Sequence, residues 1–372
     1  MKKRILSPVL HWWRFCPALH TVSAVSLGVL CAFWIVRRHP KMVEWLLQHF
    51  VTPLQRGISG FCAHLPFSVA ELTWVLLAVA VFAGLVWFGV GLFRAQDRWL
   101  LCYRAFAAAA AMILAIYAGF CLLWGVYYYG TSFEEKSGLK AQPVSAQQLY
   151  NATAYFIDGM NRTAQAVPRD ANGCADFDTA VLLTASDSIY EKLTEEYPFL
   201  AAPVRRPKPV FVSRALSAFH FTGFFFPFTG EANINTDFPG ALRPAVIAHE
   251  MAHQRAIAPE QEANFVGIQA AITSGNPIYA YSGYLQGYIY LANALLQADP
   301  DGWQQLMPTI CAEANADLIA NNTYWAKYST PVSGTAQNVY DGFLKSYDQP
   351  LGRKSYGACI DLLCAYYFPE NT

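Results

Sequence analysis

Three long apolar stretches, separated by short polar segments, fill the first 130 residues. The first runs from about Ala18 to Val36 and ends on Arg37 and Arg38. The second runs from about Val69 to Phe93 and stops at Arg94, with Glu71 near its start. The third runs from about Ala105 to Tyr129 and is closed by Trp124, Tyr127, Tyr128 and Tyr129. Each is close to the roughly 20 residues that carry a helix across a bilayer, and terminal aromatics suit its interface. Lys2, Lys3 and Arg4 precede the first stretch as in a signal peptide. Its length and the lack of a small-residue cleavage pattern before Arg37 predict an uncleaved anchor instead.

From Gly130 onward the pattern becomes that of a globular domain. Amphipathic spacing predicts helices over Pro143 to Met160 and Asp187 to Tyr197, the latter stopped by Pro198. A short strand is expected at Pro209 to Val212. Phe224 to Phe228 reads as a turn leading into an extended segment at Gly230 to Asn235. Helices are expected over Leu242 to Arg255, Pro259 to Ser274, Gly283 to Ala298 and Ser355 to Tyr367. The run Tyr284 to Leu296 is too short for a fourth span, and Gln286 and Asn293 interrupt it. This gives domains at 1–130, transmembrane, and 131–372, mainly α with a small α+β element.

Composition agrees with that division. Hydrophobic residues make up 54% and charged residues 14%, against about 25% charged in an ordinary soluble domain. The formal net charge is zero, so no basic stripe offers itself to nucleic acid. Lys2, Lys3, Arg4, Arg14, Arg94, Arg98 and Arg104 must share one side of the membrane. These seven outnumber the four of the opposite flank, Arg37, Arg38, Lys41 and Arg56. The bias predicts a cytoplasmic N-terminus and an extracytoplasmic second domain in a multi-pass membrane protein. The nine cysteines contain no CxxC pair. Cys174, Cys311, Cys359 and Cys364 can pair as disulfides if their domain lies outside.

The chemistry is concentrated at His249-Glu250-Met251-Ala252-His253, an HExxH motif after an apolar run. Residues four apart share a helical face, so both imidazoles can bind one zinc ion. Glu250 then points beside the metal, where it can take a proton from an attacking water and pass it to a leaving amine. Ala252 is small enough to admit a neighbouring element. No HxxGxxH follows His253, and His220 is the only other histidine after residue 130. The third ligand is therefore sought among Glu260 and Glu262, after a turn at Arg255 to Ala258 and a helix start at Pro259. On a helix the two lie about 200° apart, so one of them faces the metal. Glu260 is favoured, because Asn264 shares its face and can accept the free N–H of a ligating histidine. Glu262 has Val266 at that offset and is the second choice.

ExxxD after HExxH is the pattern of thermolysin-like gluzincins and of membrane zinc proteases that process prenylated proteins. Glu260-x-x-Ala263-Asn264 resembles it, with Asn in place of Asp. A wider resemblance rests on Pro66-Phe67-Ser68, Trp124-Gly125, Phe226-Pro227-Phe228-Thr229-Gly230-Glu231-Ala232-Asn233 and His249 to Arg255. It also rests on Glu262-Ala263-Asn264-Phe265, Tyr281-Ser282-Gly283-Tyr284-Leu285, Lys354-Ser355-Tyr356-Gly357 and Asp361-Leu362-Leu363. These runs resemble the bacterial family called domain of unknown function 3810, whose members are predicted membrane zinc peptidases. The resemblance implies a peptidase and supplies no substrate. Where family members often carry Asn after Trp-Gly, this chain has Val126.

The reading is three transmembrane helices followed by a zincin-like metallopeptidase domain. Zinc would be held by His249, His253 and Glu260, with Glu250 as general base and then acid. A peptide or protein is the expected substrate and the lipid bilayer the expected partner. Gly230 to Asn235 is either the edge strand that pairs with an extended substrate or an ordinary buried strand. Tyr281 and Tyr284 are either donors to the tetrahedral oxyanion or packing residues. The alternative function is a non-catalytic zinc-containing membrane sensor or binding protein, for which Glu250 would have no use. A channel or transporter is disfavoured, since the spans hold almost no ionisable residue.

Overall fold

The computed structural model describes residues 15–349 and 355–369. Lys2, Lys3, Arg4, Arg14 and Lys354 lie outside the described residues, as do the side chains of Ser355, Tyr356 and Gly357. The chain divides into two compact units, Met1–Gln55 with Val69–Gly130, and Arg56–Ser68 with Thr131–Thr372.

The first unit contains α1 (Pro17–Val36), α2 (Pro40–Leu46), the start of α3 (Thr52–Ala63), α4 (Val69–Arg94) and α5 (Arg98–Leu123). Among the described residues three helices, α1, α4 and α5, are long and apolar enough to cross a membrane. α1 packs along α5, with a hydrogen bond of 2.9 Å between Tyr103 Oη and His20 Nε2. Leu76, Val79, Phe82 and Leu85 of α4 stay exposed, as side chains facing lipid hydrocarbon do. The third span begins earlier than its apolar pattern suggests. Asp97 caps α5 by accepting the Leu100 N–H at 3.0 Å, which draws Arg98 and Arg104 into the helix. It also ends earlier: Gly125–Tyr129 is a 3-10 turn after Trp124. The segment between the first two spans is helical rather than a plain loop.

The second unit takes the rest of α3 and continues through α6 (Phe133–Ser137), α7 (Ala146–Ala164), α8 (Thr179–Ala185) and α9 (Glu191–Glu196). Next come β1 (Lys208–Pro209), α10 (Ser213–Ala218), β2 (Gly223–Phe226) and β3 (Glu231–Ile234). The remainder is helical: α11 (Arg243–His253), α12 (Glu260–Thr273), α13 (Pro277–Ala298), α14 (Pro300–Leu306), α15 (Ala312–Lys327), α16 (Pro331–Ser346) and α17 (Ser355–Tyr367). Helix α7 shows how the sequence specifies this. Ser145 and Gln148 form a reciprocal capping box, and Leu149, Ala152, Phe156, Ile157 and Met160 make one buried stripe. That stripe packs on α13 in a core shared with α11 and α12.

The sheet has the order β1-β3-β2, with β3 parallel to β1 and antiparallel to β2. Thus β3 is the central strand, and the edge-strand reading of Gly230 to Asn235 is corrected. All four of its residues are buried; all four pair with β2, and Asn233 and Ile234 pair with β1 as well. The outer strand on the other side of it is β2. The strand expected at Pro209 to Val212 shrinks to Lys208–Pro209, because the chain turns at Phe211 toward α10. The helix expected over Asp187 to Tyr197 is only Glu191–Glu196. Tyr197 and Pro198 end it as expected, but Asp187 is held outside it by a bidentate pair with Arg206.

Candidate metal centre

Helix α11 opens with Pro244 in its first turn, where a missing N–H costs nothing. Ala245, Ile247, Ala248, Met251 and Ala252 bury its apolar face. His249 and His253 lie on another face, their rings perpendicular with centroids 4.8 Å apart. The helix stops because Ala256 takes a left-handed conformation at φ 68°. Arg255 holds that turn by donating to the Met251 carbonyl at 3.0 Å and lying 3.7 Å over the Tyr190 ring.

The reversal delivers α12 directly against α11. At their crossing a Cβ on Gly267 would meet the His249 backbone N and Cα at 2.8 Å, so only glycine allows this approach. The contact brings the first turn of α12 under the histidines. Glu260 Oε2 lies 3.3 Å from His249 Nε2 and 3.7 Å from His253 Nε2, and the potential ligand atoms of all three residues lie within 4.8 Å of one another. Donors bound to one zinc at about 2 Å each stand roughly 3–4 Å apart, so this trio fits a shared ion.

The surroundings orient each donor. His253 Nδ1 donates to the Ile257 carbonyl at 2.7 Å, which leaves the Nε2 lone pair facing Glu260. Asn264 lines the cavity beside His249 and favours its charged form, while its Oδ1 accepts from the Tyr290 hydroxyl at 3.3 Å. Glu260 Oε1 accepts from Tyr340 at 2.6 Å, reserving Oε2 for the histidine side. Burial alone would raise the Glu260 pKa, but hydrogen bonds and charge from His249, His253 and Tyr340 bring it down to about 2. Burial lowers His253 to about 4. Burial also opposes charging of His249, yet Glu260 outweighs it and moves that group upward.

Glu250 is separate from this trio. Its Oε2 is buried and has no hydrogen-bond partner among the described residues, and burial pushes its pKa up to about 8. Strand β2 passes close by: a Cβ on Gly223 would meet Glu250 Oε1 at 2.7 Å. Glu250, His249 and Gly223 open into a cavity of about 530 Å³, within the roughly 300–1,000 Å³ range of ligand pockets.

The structure does not bring every candidate here. Both Glu262 oxygens accept the Phe133 N–H at 3.0 Å, on the other side of α12 from the histidines. Tyr281 donates to Asp317, which also pairs with Arg169 at 3.0 Å, and Tyr284 packs on Phe156 with ring centroids 5.7 Å apart. Neither tyrosine lines the cavity. Both point from α13 toward packed core, so the oxyanion-donor reading is corrected to the packing one. Among the described residues no disulfide joins Cys174, Cys311, Cys359 or Cys364.

Two contributors escaped sequence reasoning. Tyr340 stands 80 residues from its partner, one of 21 tyrosines, and no local pattern marks it. In the sequence His220 stands out only as a third histidine. It lines the cavity in a left-handed conformation, φ 61°, with a hydrogen bond of 2.8 Å from Nε2 to the Tyr328 carbonyl. Gly267 did carry a signal, since an interior helical glycine often marks close packing.

A family model described as "Protein of unknown function (DUF3810)" matches residues 48–364. No curated protein and no solved structure matches the chain. The matched region includes α11, α12, the sheet and Tyr340, so the whole of the centre lies inside it. By the extent of that match, the chain belongs to the DUF3810 family of proteins of unknown function.

Proposed function

We propose that the protein is a membrane-anchored zinc peptidase that hydrolyses peptide bonds of envelope or membrane-proximal proteins. The observation that carries this reading is Glu250, a buried carboxylate at a cavity wall beside the His249, His253 and Glu260 donors. A purely structural zinc site satisfies its ion with the ligands and has no role for a further buried acid. When bound, zinc would polarise the scissile carbonyl and acidify the attacking water.

The remaining steps belong to the chain itself. His249, His253 and Glu260 hold the ion, and Asn264, Ile257 and Tyr340 keep those donors aimed. Burial alone holds Glu250 protonated at neutral pH; positive charge held by His249, His253 and Glu260 would ionise it, so that it takes the proton of the attacking water and hands it to the leaving amine nitrogen, as general base and then acid. The β2 edge, next to Glu250 at Gly223, offers backbone groups for pairing with an extended substrate. The three spans would hold this chemistry at the bilayer, on the extracytoplasmic side by the Lys and Arg bias.

The test is to compare membrane and envelope proteomes of cells carrying the wild type or Glu250→Gln. Intact precursors that accumulate only with the variant support the reading. Identical proteomes, together with no cleavage by the purified protein, overturn it.

A further inference from the structure

The cavity in front of the metal centre has a chemical character of its own. Its walls include Phe238, Leu242, Val246, Ile268, Ile289 and Trp325. The Trp325 indole N–H is already committed to Asn321 Oδ1 at 3.0 Å, so the ring serves the cavity as an apolar surface. Among the described residues no lysine, arginine or aspartate lines the space, and Glu250 is its one carboxylate. The polar groups around the apolar walls are chiefly neutral amides, Gln286, Asn321 and Gln337. Asn321 Oδ1 is taken by Trp325 and Gln337 Nε2 by the Phe219 and His220 carbonyls, and being neutral these amides offer no counter-charge to an ionised side chain.

We infer that this cavity receives a large uncharged side chain next to the scissile bond, aromatic or branched aliphatic, and rejects Asp, Glu, Lys and Arg there. This rests on the peptidase reading and adds the substrate class to it. An apolar side chain exchanges water for six apolar walls, whereas a charged one would lose its hydration with no partner to replace it. A basic residue would find one carboxylate, Glu250, which is committed to proton transfer. The cavity volume of about 530 Å³ is ample for one aromatic side chain with its flanking backbone.

The test has two readouts on the full-length chain in detergent or nanodiscs with zinc. First, a mixed peptide library is digested with the wild type and the cut sites are read by mass spectrometry. Phe, Leu, Ile or Met should be enriched about tenfold or more at one position flanking the cut, with charged residues depleted there. Second, fluorescent peptides differing only in Phe or Asp at that position are titrated against Glu250→Gln, and the Phe peptide should bind about tenfold tighter or better. Ile289→Glu should switch the cleavage preference toward Lys and Arg while leaving zinc content unchanged.

The outcomes separate the two levels of the argument. Selective binding without any cleavage sinks the peptidase reading and leaves the cavity assignment standing. Cleavage with no preference, or with charged residues preferred, overturns the cavity assignment alone. An unchanged preference in zinc-loaded Ile289→Glu does the same. Neither binding nor cleavage overturns both.

Discussion

Tyr340 donates to Glu260 Oε1 at 2.6 Å while Oε2 of the same carboxylate faces both imidazoles at 3.3 and 3.7 Å. The phenol thus decides which oxygen is offered to a metal. Removing only the hydroxyl, in Tyr340→Phe, should weaken zinc binding by about 10–100-fold, the usual effect of losing a group that orients a ligand. Competition against a chromophoric chelator measures it. Wild-type affinity in the variant would show that the phenol is a bystander.

The two glutamates of α12 should separate cleanly. Glu260→Ala should lose stoichiometric zinc, because no other carboxylate among the described residues reaches both histidines. Glu262→Ala should keep the metal and lose stability by about 1–3 kcal/mol, since the buried Phe133 N–H loses its acceptor. Zinc content and thermal unfolding, measured side by side, decide this. Metal loss in Glu262→Ala with retention in Glu260→Ala would exchange the assignments.

Protons should compete with the metal at His249. Burial opposes its charging, but the Glu260 hydrogen bond and charge outweigh that and raise its pKa above the usual histidine value. A metal must displace this proton, so affinity should weaken as pH falls through the raised His249 pKa, with proton release on binding. His253, lowered to about 4 by burial, is already neutral there and should contribute little. Titration calorimetry in buffers of different ionisation enthalpy reads the released protons at pH 7. A pH-independent affinity with no release would contradict the coupling.

Much of this centre was legible in the chain. Spacing alone put His249 and His253 on one face, and the Arg255 to Ala258 turn with Pro259 placed a second helix against them. Asn264, four residues after Glu260, marked the side of α12 that lines the same cavity as His249. What could not be read depends on long-range packing. β3 is central because β1, which lies before α10, pairs in parallel beside it on the side away from its hairpin neighbour β2, and Tyr281 is tied down by Asp317 of α15. Helices α8, α10, α14, α15 and α16 were not expected, because their stripes are short, polar or interrupted. The third span was misplaced because the cap at Asp97 outweighs the charges of Arg98 and Arg104.

The orientation of the chain gives an independent prediction. A reporter active only outside the cytoplasm should be active when fused after Gly130 and silent in the Arg94 to Arg104 segment. The reverse pattern would place the metal centre in the cytoplasm and exclude envelope substrates.

The central claim is that Glu250 performs chemistry and does not hold the metal. Purified wild type should contain one zinc per chain and cleave peptides, while Glu250→Gln should contain the same zinc. Its turnover should fall by about 100–10,000-fold, the range expected when a general acid–base is removed. His249→Ala and His253→Ala should lose zinc and turnover together. The decisive measurement is zinc content and peptide turnover on the same preparations of wild type and Glu250→Gln. Full zinc with lost turnover is the predicted result, and equal turnover, or wild type without stoichiometric metal, would contradict the account.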